Sequence, residues 1–184
     1  IAGALKWDWG ARWQELVQAH GQLQVLGFAG LFISGMAVRM MPRFSGRPLA
    51  YPLVARGVVL LIGGGVALRA LSPLVSADAV HGTLWIVAAA SVLGGSVSFA
   101  AVILRTLLHP ASKAEATGWF FVLGAVALAA AGMLNLVLTV RAVVDGARLL
   151  PAAENNALLS IEISGFLLMF IGGVATRAVA TLAG

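Results

Sequence analysis

The sequence predicts an all-α, polytopic membrane protein: a bundle of five transmembrane helices. Two observations predict it. Five continuous apolar stretches lie near residues 17–38, 50–68, 79–104, 116–140 and 157–177, each close to the roughly 20 residues a helix needs to cross a hydrocarbon layer about 30 Å thick. The charges, 10% of residues against 60% hydrophobic, collect in short segments between those stretches, so a soluble domain of 184 residues would have nowhere to hide its apolar surface.

The punctuation between the stretches supports helices. Pro42, Pro48, Pro52, Pro73, Pro110 and Pro151 all fall between or at the ends of the proposed spans, where they break no helix interior. Strands of a membrane β-barrel would read as alternating segments of about ten residues, whereas these runs are unbroken Leu, Ala, Val and Gly. Trp7, Trp9 and Trp13 stand just before the first span and Trp119 opens the fourth, as interfacial anchors do. Trp85, two turns into the third span, is less diagnostic. Residues 1–16 therefore read as an interfacial, Trp-rich segment and 17–184 as the helical bundle.

The formal charge of +5 does not point to nucleic acid, because in such a chain the position of the cations decides their meaning. One side of the membrane would carry Arg39, Arg43, Arg47, Arg56, Arg105, Lys113 and Arg177 against Glu115 alone. The other would carry Lys6, Arg12, Arg69, Arg141 and Arg148, matched by Asp8, Glu15, Asp78, Asp145 and Glu154. The positive-inside rule then places the first and third loops in the cytoplasm and the N-terminus of this chain outside. The chain starts at Ile1 without a basic, apolar signal segment, which reads as a fragment or a processed product. Without cysteine there is no disulfide, no thiolate metal site and no covalent haem attachment, so any haem is held noncovalently.

Spans one and five resemble each other. GFAGLFISGMAVR (Gly27 to Arg39) and GFLLMFIGGVATR (Gly165 to Arg177) are identical at Gly27/Gly165, Phe28/Phe166, Phe32/Phe170, Ile33/Ile171, Gly35/Gly173, Ala37/Ala175 and Arg39/Arg177. Three spans separate them, so both run in the same direction, as a parallel duplication would. Convergence of Gly-rich helices on similar packing surfaces gives the same pattern.

Polar groups within spans are costly unless paired or ligated, so they are the first candidates for function. At 100° per residue His20, Gln24, Gly27, Leu31 and Gly35 share one stripe, with Gln18 and Gln22 on the opposite side. An imidazole on a face narrowed by glycines suits a flat cofactor, with His20 as metal ligand and Gln24 and Gly27 beside it. It equally suits a hydrogen bond between helices, or exposure at the interface. Glu162 matches Gln24 in the repeat and shares a face with Asn155, Gly165, Met169 and Gly173; a carboxyl there must carry a proton or find a partner. Asn135 and Thr139, four residues apart in the fourth span, read as interhelical hydrogen-bonding groups. His81 and His109 are about 28 residues apart, some 40 Å along a helix, and share no site. The run LIGGGVAL is a membrane helix, and no phosphate loop, zinc-protease motif or nucleophile elbow is present.

The segment HGQLQVLGFAGLFISGMAVRMMPRFSGRPL, residues 20 to 49, resembles the NnrS family of haem- and copper-containing membrane proteins linked to nitric oxide stress. It is similar also to the second helix of haem-copper oxidase and nitric oxide reductase large subunits. The resemblance rests on the histidine seven residues before Gly27, the GF pair, the G-x-A run and the turn PRFSGRP from Pro42 to Pro48, about a sixth of the chain. It implies a many-helix bundle that binds b-type haem noncovalently through His20, with a role in nitric oxide or respiratory metabolism. The family commonly shows histidine-any-histidine, and here the second position is Gln22; span five has Leu158 and Ser160 where such a pair would stand. The rival expectation is a cofactor-free accessory subunit, packed against other membrane subunits or the rest of its own chain. A catalytic haem-copper site would need several histidines that this chain lacks, and the repeat with Glu162 leaves a transporter as a further alternative.

Overall fold

The computed structural model describes residues 9–109 and 116–183. The readings that involve Ile1, Lys6, Trp7, Asp8, Pro110, Lys113 and Glu115 fall outside them. Among the described residues the elements are all helical, and five helices are long and apolar enough to cross a membrane: Arg12–Ser45, Pro52–Leu74, Asp78–Leu107, Thr117–Val144 and Ala152–Val179.

The first span is α1 (Trp9–Gln22), a π-helical stretch (Leu23–Gly30) and α2 (Leu31–Ser45) in one continuous rod. α3 (Pro52–Leu71) closes with a short 3₁₀ turn (Ser72–Leu74), and α4 (Asp78–Leu107) and α5 (Ala116–Val144) are uninterrupted. The fifth span repeats the construction of the first: α6 (Ala152–Ser160), a π-helical stretch (Ile161–Leu167) and α7 (Leu168–Ala183). The two π-helical stretches occupy equivalent positions of the sequence repeat, and Gly30 lies against Phe166 where the parallel spans touch.

The helices overrun the apolar stretches, the first span at both of its ends. α1 enters the bundle well before residue 17, because Glu15 and Gln18, polar residues that would otherwise stop a span, are bonded to the rest of the protein. Pro42 corrects the reading that every proline lies outside helix interiors: it sits inside α2, which continues one turn beyond it. There the Pro42 carbonyl accepts the backbone N–H groups of Gly46, at φ 66°, and Arg47, so the αL cap closes the turn.

Glycine sets the helix spacing. A methyl group on Gly95 of α4 would fall 2.5 Å from Ile62 Cγ1, and one on Gly65 of α3 would fall 2.7 Å from the Ala88 carbonyl oxygen. α3 and α4 therefore approach as closely as backbone allows, the packing that lipid-embedded helices use in place of a hydrophobic driving force. α5 runs antiparallel to the fifth span, with Gly165 against Ala127, Gly124 against Phe170 and Gly173 against Phe121. Phe99, Phe121, Phe166 and Phe170 form an aromatic core with ring centroids 5.3 to 6.1 Å apart, and Phe44 stacks on Phe121. Large apolar side chains such as Phe28, Phe32, Leu60 and Val144 point outward, as lipid permits.

Candidate functional site

Three polar features break the apolar surface and core. Two belong to the end of the bundle where the first span begins, called here the mixed-charge end; the opposite, arginine-rich end is the basic end.

His20 lies on the exposed side of α1, at an open apolar cleft of about 510 Å³ lined by Trp13, Leu16, Val17, Leu23 and Ala70. It makes no hydrogen bond or ion pair with the described residues. Gln24 is exposed one turn further along. Gly27 does not open onto the cleft: a Cβ there would meet Val66 Cγ1 at 3.2 Å, so its small size serves packing against α3. Gly35, the last member of the stripe, is open. The stripe drawn at 100° per residue is broken because it crosses Leu23–Gly30, where i to i+5 bonding turns the chain less per residue and skews the faces by about one residue. On the other side of α1, the Gln18 amide brackets the Leu150 backbone, donating to its carbonyl at 2.7 Å and accepting its N–H at 3.1 Å, while Gln22 is buried.

The second feature is a charge cluster built from four separate segments. Glu15, 2% exposed, accepts Arg148 Nε at 3.0 Å. The same guanidinium donates to Asp78 at 2.6 Å and to the Val75 carbonyl at 2.7 Å. His81, also buried, holds Nε2 3.7 Å from the second Glu15 oxygen, too long for a hydrogen bond. Its ring meets Trp85 edge-on, and the buried Arg69 guanidinium lies 4.5 Å over the Trp85 ring while donating to Ser72. Burial works against the Arg148 charge, but the hydrogen bonds and attraction of Glu15 and Asp78 outweigh it and raise the Arg148 pKa. Next to the cluster, Arg141 pairs with Glu154 at 3.3 Å and with Asp145 at 3.8 Å. The balanced charges of these loops were visible in sequence. Their convergence on Glu15, and the roles of His81 and Trp85, were not, because the partners lie up to 133 positions apart.

The third feature is Glu162 with Asn135 and Thr139, buried on the facing sides of the fifth span and α5. At the basic end, Arg47 lies 2.6 Å from His109 Nδ1, and the Arg177 guanidinium sits 4.8 Å from the centre of the Phe44 ring. His81 and His109 thus belong to opposite ends, as their spacing required. Among the described residues no group of three or more His, Asp or Glu is placed to hold a metal ion.

Comparison with protein-family models, with curated proteins and with solved structures finds no match to this chain.

Proposed function

We propose that this chain is a haem-carrying helical module of an NnrS-like protein in the bacterial inner membrane, with its mixed-charge end outside and a role in nitric oxide or respiratory metabolism. The observation that carries the proposal is the His20 imidazole, which has no partner among the described residues and opens onto an apolar cleft. A neutral imidazole is the usual protein ligand of b-type haem iron, and the cleft offers the apolar wall such a macrocycle needs. In this reading His20 would hold the iron through a ring nitrogen, Trp13, Leu16, Val17 and Leu23 would form the apolar wall of the site, and Gln24 would offer an amide one turn deeper. Bound there, the iron supplies a site for a diatomic ligand or for one-electron transfer. The arginines at the basic end support the orientation through the positive-inside rule.

The outward direction of His20 and Gln24 also favours a second reading. Two polar side chains on the face of a span are what a partner helix would bond, so the chain is alternatively a cofactor-free accessory subunit of a larger energy-transducing complex. Visible absorption of the protein purified from haem-supplemented cells separates the two. The first reading expects a Soret band that His20→Ala abolishes while helicity and elution volume stay unchanged. A colourless protein, or a Soret band unaltered by His20→Ala, overturns it, and a colourless protein that co-purifies with larger subunits establishes the second.

A further inference from the structure

Glu162, Asn135 and Thr139 are 1%, 3% and 0% exposed, yet Glu162 Oε2, Asn135 Oδ1 and Thr139 Oγ1 have no hydrogen-bond partner among the described residues. A buried oxygen without a donor costs about 1–3 kcal/mol, and three on one seam are not scattered accidents of packing. The register of the two helices brings them together. With Gly165 against Ala127 and Gly173 against Phe121 in an antiparallel pair, Asn135 stands opposite Leu158, Glu162 opposite Ala131 one turn deeper, and Thr139 one turn nearer the mixed-charge end. Leu158 and Ala131 indeed share one packed cluster.

Side-chain direction closes the gap. Side chains lean toward the N-terminus of their own helix. The fifth span begins at the mixed-charge end and α5 at the basic end, so Glu162 leans outward along the seam while Asn135 and Thr139 lean inward to meet it. Glu162 is ten residues beyond Ala152, about 15 Å along the helix and about half of a hydrocarbon layer of 30 Å. At the seam's outer end lies a cavity of about 120 Å³ lined by Arg141, Asp145, Pro151 and Glu154, with half-buried Asn155 just below. Of the charged groups on the elements around the seam, Glu15, Arg69, Asp78, His81, Arg141 and Glu154 lie toward this same end, while Arg105 and Arg177 lie at the basic end. Among the described residues none forms an ion pair with Glu162.

We propose that the seam between α5 and the fifth span holds a short file of water from the mixed-charge end to Glu162, and that the Glu162 carboxyl releases and regains one proton through it. Water supplies the donors that the three oxygens lack, at a site with the two to four polar partners a buried water needs. The step is proton transfer alone: the carboxyl O–H bond breaks, a water oxygen takes the proton, and the file passes it to solvent while no electron moves. The proposal stands whether or not His20 holds haem.

Infrared spectroscopy of the protein in liposomes tests it. A protonated carboxyl band, assigned by its loss in Glu162→Gln, is expected to shift within seconds of transfer to D₂O, and to disappear as pH is raised. In Asn135→Leu/Thr139→Val, checked for native helicity, the isotope shift should slow by tenfold or more. A band that does not shift in D₂O, or the absence of any band that Glu162→Gln removes, overturns the proposal on the unmodified chain alone. An unchanged shift rate in the seam variant, or a band that responds to sodium rather than to pH, overturns it equally.

Discussion

At the scale of single residues, the charge cluster at the mixed-charge end shows why a few polar side chains matter more than their number suggests. Glu15 is almost fully enclosed, so Arg148 is the group that makes its carboxylate tolerable. Removing one partner of a buried pair strands the other, which costs about 3–5 kcal/mol. Arg148 retains some solvent contact, so Arg148→Gln is expected at the lower end, about 3 kcal/mol. The double variant Glu15→Gln/Arg148→Gln should regain part of that loss, and thermal unfolding in detergent measures both. The pH dependence follows from the sign of the shift: the raised Arg148 pKa gives stability that is complete below the ordinary arginine value and lost only in strong alkali. The melting deficit of Arg148→Gln should therefore stay constant from about pH 8 to about pH 10. A deficit that vanishes inside this window would mean that the guanidinium is not what holds Glu15. Sequence showed that these loops balance their charges. Which acid meets which base depends on the positions of α1, α4 and the loop after α5, and no local pattern encodes that.

At the scale of elements, the two π-helical stretches are the feature that periodicity missed. A hydropathy pattern read at 100° per residue assumes one helix type throughout, and nothing in LQVLGFAG or IEISGFL announces otherwise. The consequence is concrete: His20 and Gly27, placed on one stripe by the regular wheel, face different surroundings. Each π-helical stretch acts as about one extra residue in an α-helix, so deletion of Phe28, an exposed residue, should restore α-helical bonding and rotate α1 relative to α2. Glu15 and Gln18 would then leave their partners. The chain has no cysteine, so a disulfide between Gln18→Cys and Leu150→Cys reports the rotation against a clean background. It should form in the intact chain and be lost when Phe28 is deleted; formation in both would show that the first span does not transmit the extra residue. The spans themselves were legible because lipid demands long apolar segments whatever their partners. Their polar ends were not, because the overrun of α1 rests on bonds to Leu150 and Arg148.

At the scale of the whole molecule, five crossings place the two ends of the bundle on opposite faces of a membrane. Ser76→Cys, in the exposed turn after α3, and Pro48→Cys, in the loop after α2, should react with an impermeant maleimide from opposite sides of sealed vesicles. Labelling of both from the same side would remove the five-span topology and with it the depth assigned to Glu162. By itself the amino-acid sequence determined the helical class, the number of spans and the lopsided charge, because the bilayer is a solvent that acts on each segment independently. Only the tertiary structure decided that Gln24 faces outward while Glu162 is buried facing α5, although the repeat assigns the two to equivalent positions. The physical reason is that burial inside a bundle depends on which neighbour stands opposite: the first span packs on α3, the fifth on α5, and equivalent residues of parallel helices therefore meet different partners.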